Sequence, residues 1–200
     1  QAQLMHRFFQ DANTDYYTGV GPLLSWKEDN YCFYKGITCE ADDKVATVEY
    51  YRVNYGQFHL ESLPPHLKFC TISRASQRAE FRARVLPREL KYLDLRNNMY
   101  YGRLDLENLP FNLEKVHLNN NLFTGPISLI GLPRNLEQLQ VHSNRIRQNV
   151  VWYDTLPERI EFIRLINKGE TKVIGQVHAT NPGARTNPKV FSMMPKEMVH

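Results

Sequence analysis

The sequence has 200 residues, of which 42% are hydrophobic and 12% aromatic, and its formal net charge is +4. This composition supplies enough apolar material for one elongated domain and excludes a wholly disordered chain. The mild charge permits an acidic partner without requiring one, and there is no apolar run of roughly eighteen residues to predict a membrane-spanning segment.

The first predicted element is a short helix from residue 3 to about residue 11. Leu4, Met5, Phe8 and Phe9 are spaced so that they share one helix face. A helix of this kind can cover the open end of the repeats described next, because terminal repeats must be shielded. The alternative is that its apolar face docks a partner.

A fixed period organises the middle of the chain. Successive Leu-Pro pairs are spaced 23, 23, 23 and 24 residues apart and begin at Leu63, Leu86, Leu109, Leu132 and Leu156. A constant period in the twenties is the mark of a repeat architecture. Within the clearest three periods the pattern LxxLxLxxN recurs, with its second leucine position at Leu93, Val116 and Leu139.

This pattern is that of a leucine-rich repeat. The L-x-L segment alternates, so its two apolar residues face the core of a short strand, and stacked copies form a parallel sheet. We therefore predict an α/β-type solenoid, mainly β: a right-handed leucine-rich repeat superhelix of about five to six repeats. Short parallel strands form its concave face, and its convex side is irregular. The predicted divisions are an N-terminal cap at 1–43, the solenoid at 44–180 and a C-terminal tail at 181–200.

The asparagine of each repeat comes where the chain turns away from its strand. An amide side chain donates and accepts at once, so it can satisfy backbone groups that the turn would leave buried. We predict a structural ladder of Asn98, Asn121 and Asn144.

The outer repeats depart from the pattern. Residues 44–62 form a degenerate first repeat, and the second has Ala75 where the asparagine is expected. In the fifth, Lys168 takes that position, which predicts the closing turn of the solenoid. The proline-rich segment after Asn181 is predicted to be an extended tail, either loosely packed or laid along a partner.

The repeat register separates the three cysteines. Cys70 falls on the position held by Leu93 and its equivalents, so we predict that it is a small core residue. Cys32 and Cys39 remain as the possible disulfide pair. A bridge between them indicates an oxidising compartment, whereas free thiols fit an intracellular chain. The sequence contains no N-x-S/T glycosylation site, which weakens the case for secretion without removing it.

The segment around this pair carries a further motif. In order, its positions are Trp26, Cys32, Tyr34, Gly36, Ile37, Thr38 and Cys39. It resembles the N-terminal cap of plant-type extracellular leucine-rich repeat proteins, in which the position of Tyr34 is usually Trp. Together with its repeats, the chain most resembles trypanosomatid surface leucine-rich repeat proteins. The resemblance implies a solenoid with a disulfide-capable cap and implies little about function.

One cluster of basic residues stands out within fifteen positions of the second repeat. It is formed by Arg74, Arg78, Arg82, Arg84 and Arg88. Arginine favours bidentate contacts with carboxylate or phosphate, so the cluster can meet an acidic protein surface or a nucleic-acid backbone. A solvated face is the simpler interpretation, because no aromatic row accompanies the arginines as a base-stacking platform would require.

Side chains between the core leucines are predicted to face outward on the concave strands. They form columns, and the candidate partner-binding residues among them are Tyr92, Asp94, Arg96, Lys115, His117, Asn119, Gln138, Gln140, His142, Phe162 and Arg164. A polar face with aromatic residues at its edges is typical of protein recognition. Sheet faces are also polar simply because they are wet.

No signature of catalysis is present in the sequence. His117 and His142 lie in different columns without a cysteine or carboxylate at metal-ligand spacing, and there is neither a glycine-rich phosphate loop nor a nucleophile elbow. We therefore predict no cofactor, no metal and no enzyme activity. The predicted function is protein–protein recognition through the concave face, in a secreted or cell-surface protein. The alternative is a structural subunit of an intracellular or organellar, possibly ribonucleoprotein, assembly docked through the basic patch and the tail.

Overall fold

The computed structural model describes residues 1–19, 31–168, 173–184 and 186–200, so Trp26 of the cap motif lies outside the described residues. Helix α1 is Ala2–Phe8 and helix α2 is Thr14–Gly19. The strands are β1 Asp11–Ala12, β2 Ile37–Cys39, β3 Val45–Tyr51, β4 Gly56–Gln57, β5 Phe69–Ser73, β6 Tyr92–Asp94, β7 Tyr101–Arg103, β8 Lys115–His117, β9 Leu122–Thr124, β10 Gln138–Gln140, β11 Gln148–Tyr153, β12 Phe162–Arg164 and β13 Ile174–Ala179. Short 3-10 helices span Tyr31–Phe33, Leu60–Ser62, Ala83–Val85, Leu106–Asn108, Pro182–Ala184, Pro188–Val190 and Lys196–Met198.

One sheet contains the predicted repeat strands. Its order is β12-β10-β8-β6-β5-β3-β2, and every pair from β3 to β12 is parallel, whereas β2 runs antiparallel to β3. Cys70 lies beside Leu93, which lies beside Val116, and Val116 lies beside Leu139. All four side chains are fully buried. The leucine-rich repeat fold is thereby confirmed, including the core position of Cys70.

The Leu-Pro pair sets where each turn straightens. A proline disfavours the helical conformation of the residue before it. Leu63, Leu86 and Leu109 each end a 3-10 helix and are extended, with ψ between 137° and 144°. The proline that follows is therefore the local reason why the chain leaves the 3-10 helix and enters the next strand at a constant interval.

A ladder of amide side chains runs inside the turns. Its equivalent members are Asn98, Asn121 and Asn144. Asn121 accepts a hydrogen bond from the Tyr100 amide at 3.0 Å and donates to the carbonyls of Leu95 and Leu118 at 2.9 and 3.2 Å. Asn98 and Asn144 repeat these contacts one turn earlier and one turn later. Each asparagine thus satisfies buried backbone groups of two successive turns.

In the second turn a different residue hydrogen-bonds to the buried backbone groups. Ala75 stands at the asparagine position, and Gln77, two residues later, is 1% exposed. Its amide oxygen accepts from the Phe58 backbone at 2.7 Å, and its amide nitrogen donates to the carbonyls of Gly56 and Ala75. Gln77 thus satisfies buried backbone groups of the first and second turns, although these groups are not the ones that the asparagines of the later turns meet.

The convex side carries short strands between the 3-10 helices. β7 pairs with β9, and β11 pairs with β13, all in parallel. Tyr100, Phe123 and Ile146 lie beneath this side and are each no more than 2% exposed. Their stacked column completes the core between the two faces.

At the N-terminal end, α1 closes the stack and ends earlier than the sequence predicts. Met5 and Phe8 are fully buried against the first turn. An aromatic cluster joins helix, cap and first turn, and it comprises Phe8, Phe9, Tyr16, Tyr31, Tyr34, Tyr50 and Phe58. Cys32 and Cys39 form a disulfide with Cα atoms 5.5 Å apart, which ties the cap to β2.

The C-terminal segment is packed on the end of the solenoid. Phe191 is 1% exposed and Met194 is 8% exposed. Ser192 donates its amide to the Ile163 carbonyl at 2.9 Å, and His200 donates to Val177 at the same distance. These residues shield the last strands. No helix among the described residues is long and apolar enough to cross a membrane.

Candidate binding face

The concave face consists of the outward side chains of the six parallel strands, whose register places them in columns. The first column is Thr47, Phe69, Tyr92, Lys115, Gln138 and Phe162, and the second is Glu49, Thr71, Asp94, His117, Gln140 and Arg164. A third follows the last core residue of each strand: Tyr51, Ser73, Arg96, Asn119, His142 and Ile166. With strands about 4.8 Å apart, six rows span roughly 24 Å, the width of a bound peptide or one face of a small domain.

Every residue of the first column is at least partly exposed. Phe69 is 45% exposed, and Tyr92, Lys115, Gln138 and Phe162 are partly exposed. In this column the aromatic rings of Phe69, Tyr92 and Phe162 lie on either side of the polar pair Lys115 and Gln138. This column therefore offers both apolar contact area and hydrogen-bonding groups to a partner.

The second column contains a buried polar cluster. Asp94 is 1% exposed, and its carboxylate accepts from the Arg96 amide and meets the Arg96 guanidinium, both at 3.1 Å. His117 lies beside Asp94 in the sheet, with the Tyr92 ring 5.7 Å away and edge-on. Its Nε2 lies 3.4 Å from the Gln138 amide oxygen.

Burial determines the charge state of this cluster. It lowers the pKa of His117, although the neighbouring Asp94 carboxylate acts in the opposite direction. It also raises the pKa of the Tyr92 phenol, and Asp94 adds to that shift. His117 and Tyr92 are consequently neutral near pH 7, and the Arg96 guanidinium compensates the Asp94 charge.

The expectation that all three columns are open to a partner needs correction. Asp94, His117, Asn119 and His142 are each no more than 8% exposed. The other predicted partner-binding residues are partly exposed: Tyr92, Arg96, Lys115, Gln138, Gln140, Phe162 and Arg164.

Sequence reasoning missed one row of this face. Thr47, Glu49 and Tyr51 on β3 continue the three columns, and Tyr51 is 47% exposed. The signal was present, because Val45, Val48 and Tyr50 already mark β3 as a repeat strand, so the residues between them belong to the concave face.

The five arginines of the predicted basic patch do not form one surface. Arg74 directly follows β5 and Arg88 precedes β6, so the two arginines lie near opposite ends of the parallel strands. Arg82 is paired with Glu80. Arg84 lies 4.0 Å from Asp105 and, with Arg88 and Phe111, lines a shallow groove between neighbouring turns. Closeness along the sequence is lost here because a turn of the solenoid passes around its whole cross-section.

Within the described ranges, no three or more His, Cys, Asp or Glu residues are arranged to hold a metal ion. His117 and His142 occupy the second and third columns of neighbouring strands, as their register requires. The exposed side chains of this face supply hydrogen-bonding groups, charges and aromatic rings.

No model of a known protein family matches the chain, and no curated protein matches it significantly. Solved structures do match it. The ectodomain of the receptor kinase SOBIR1 from Arabidopsis thaliana has a TM-score of 0.61 and 19% identity, with 82% of this chain and 90% of that chain covered. Pollen Receptor Kinase 3 has a TM-score of 0.59 and 20% identity over 91% and 94% of the two chains.

A third structure is the Arabidopsis receptor kinase HAESA ectodomain, solved in complex with a peptide hormone. Its TM-score is 0.56 and its identity 12%, over 99% of this chain and 44% of that chain. Identities this low establish a shared fold and leave function to be argued from the site. The chain therefore has the leucine-rich repeat solenoid fold found in the ectodomains of plant receptor kinases.

Proposed function

We propose that this chain is a non-catalytic recognition module that binds a protein or peptide partner on its concave face. The observation that carries the proposal is the first column, in which six neighbouring rows present partly exposed aromatic and polar side chains in a fixed register. A preorganised face of this kind loses little conformational entropy on binding.

Two further observations support this proposal. The structurally similar HAESA ectodomain was solved with a peptide hormone, so the fold accommodates a peptide ligand in that protein. The Cys32–Cys39 bridge fits an oxidising compartment, which supports a secreted or cell-surface location. The resemblance of the cap and repeats to plant-type and trypanosomatid surface proteins remains a prediction.

The alternative, an intracellular assembly subunit docked through the basic patch, loses its main support. The arginines that would form a contiguous docking surface, for nucleic acid or protein, are distributed around one turn. Mass measurement of native material with and without reductant, combined with thiol labelling, tests the compartment. Free thiols at both Cys32 and Cys39 would favour the alternative.

The binding proposal is tested with a variant of the first column. Tyr92→Ala, Lys115→Ala and Gln138→Ala together remove an aromatic ring, a cation and an amide from adjacent rows. The matched control is Phe111→Ala, Arg134→Ala and Asn135→Ala, which removes the same three chemistries from exposed positions outside the concave strands. Both variants should retain the circular dichroism spectrum of the unmodified chain.

The measurement is capture of partners from the native source, quantified by mass spectrometry. We expect the concave variant to recover at least about tenfold less of the specific partner and the control variant to recover it undiminished. Equal recovery by both variants would show that the concave face is not the binding surface.

A further inference from the structure

A column of residues in the left-handed conformation runs along the edge where the strands end. Its members are Arg52, Arg74, Asn97, Asn120 and Ser143, with φ between 52° and 57°. Their backbone amides link neighbouring turns, since Arg52 donates to the Ser73 carbonyl at 3.1 Å and Arg74 to Arg96 at 3.2 Å. The turn thus requires this conformation whatever the side chain.

The first two members are unusual residues for this conformation. Asparagine visits the left-handed region readily, and Asn120 also donates its side-chain amide to Asn97 at 3.1 Å. Arginine has no such local hydrogen bond and adopts this conformation at a cost. Arg52 and Arg74 therefore occupy positions that Asn97 and Asn120 fill with less strain in the next two turns.

The two arginines are also electrostatically unbalanced. They stand on adjacent turns, about 4.8 Å apart at the backbone, and both are exposed. Within the described part of the chain no ion pair joins either of them to an acidic residue, whereas Arg96, one turn further on, is neutralised by Asp94. Like charges on neighbouring strands destabilise the free protein, so an anionic ligand would relieve the repulsion.

Aromatic and polar groups frame this pair. The Arg52 guanidinium carbon lies 5.2 Å from the centre of the Tyr51 ring, which is itself 47% exposed. Ser73, beside Tyr51 in the sheet, has a buried hydroxyl for which the described residues provide no hydrogen-bond partner. Acidic residues in the middle column, Glu49 and Asp94, disfavour an anion there and restrict it to the edge.

We propose that Arg52 and Arg74 form a subsite for an acidic segment of a peptide lying on the concave face. This inference rests on the recognition function proposed above and specifies the charge of the partner at one edge. Each guanidinium can bind one carboxylate in bidentate fashion. In an extended peptide, alternate side chains lie on one side about 6.6 Å apart, a separation that two long arginine side chains can span.

The test uses the full chain and the probe acetyl-Glu-Ala-Glu-amide, with acetyl-Gln-Ala-Gln-amide as the uncharged match. Arginine Nε–H resonances of the ¹⁵N-labelled protein are followed by NMR at low ionic strength. We expect saturable shifts at Arg52 and Arg74 with the glutamate peptide, no such shifts with the glutamine peptide, and weaker binding as salt is added.

Matched variants locate the effect. Arg52→Gln with Arg74→Gln should weaken binding of the glutamate peptide by about tenfold or more. Arg103→Gln with Arg134→Gln changes the net charge equally at exposed positions elsewhere and should alter binding less than about twofold. Equal shifts at all exposed arginines, or equal weakening by both variants, would overturn the subsite.

The same variants separate this inference from the recognition function. If the glutamate peptide fails to bind at Arg52 and Arg74 while the first-column variant still loses the native partner, the subsite is wrong and the recognition function stands. If the first-column variant keeps its partner, the recognition function is wrong whatever the peptide does.

Discussion

The central turns and the N-terminal turns of this solenoid form the same cross-section from different residues. Residues 86–155 repeat one solution, with an asparagine at the inner ladder position and Asn97, Asn120 or Ser143 at the left-handed edge position. Residues 31–85 instead join their turns through Gln77, and they have arginines at the left-handed position and a disulfide at the end of the sheet. The comparison teaches that the fold fixes the backbone conformation at the end of each strand, whereas the residue that adopts it and the side-chain hydrogen bonds that join the turns can change.

The largest effect is expected from removing a buried amide side chain that joins two successive turns. Asn121→Ala and Gln77→Ala should each destabilise the protein by about 2–4 kcal/mol, because each leaves buried backbone groups unpaired. Urea unfolding measures both. A cost for Gln77→Ala near that of an exposed substitution such as Asn135→Ala would show that the hydrogen bonds of Gln77 do not stabilise the contact between the first two turns.

Removal of the disulfide should have the next largest effect. Cys32→Ala with Cys39→Ala is expected to cost about 2–3 kcal/mol, because the closed loop is short and constrains the unfolded chain only modestly. Reductant should lower the urea midpoint of the unmodified chain and leave that of the variant unchanged. If reductant lowers the urea midpoint of both proteins equally, its effect does not come from the Cys32–Cys39 bridge.

Exchanging arginine and asparagine at the left-handed position should change the free energy of unfolding by a smaller amount, with opposite signs in the N-terminal and central turns. Arg74→Asn is expected to stabilise by roughly 0.5–1 kcal/mol, because asparagine tolerates the left-handed conformation better. Asn97→Arg should destabilise by a similar amount. Arg74→Gln removes the charge while keeping the strained backbone, so an equal gain from Arg74→Gln would assign the effect to charge repulsion.

The smallest effect concerns the contact between the N-terminal segment and the first turn. The His59 ring nitrogens lie 2.8 Å from the Asp11 carboxylate and 3.2 Å from Glu61. Partial burial alone would lower the pKa of His59, but hydrogen bonds to these two carboxylates outweigh it and raise the pKa.

A raised folded-state pKa gives stability that is fully present below the unfolded value, about 6.5, and is lost as the pH rises through the folded value. His59→Gln should therefore be less stable than the unmodified chain at pH 5.5, and the difference should shrink by pH 8. Urea unfolding at both pH values measures it. A difference independent of pH would show that the contact is not electrostatic.

Much of the fold was predictable because each turn repeats its own pattern. The Leu-Pro spacing predicted the stack, the buried row of Leu93, Val116 and Leu139, and the core position of Cys70. Irregular turns were harder. Ala75 correctly marked a break in the pattern, but the compensating role of Gln77 depends on Phe58 and Gly56, which belong to the preceding turn.

The candidate binding face was predictable in register and less so in exposure. Alternation along each strand places Tyr92 and Lys115 in one column regardless of what surrounds them. Whether Asn119 or His142 is reachable depends on neighbouring strands, and the structure buries both. The arginine cluster misled for a related reason, because residues close in sequence are spread around one turn.

The sequence by itself determined the period, the core positions and the pair of cysteines available for a bridge, since each follows from spacing within one turn or its cap. Tertiary structure decided which polar side chains are covered, how the second turn completes its hydrogen bonds and which arginines stand unpaired at the edge. The physical reason is that these properties depend on groups 21 to 26 residues away, which only stacking brings into contact.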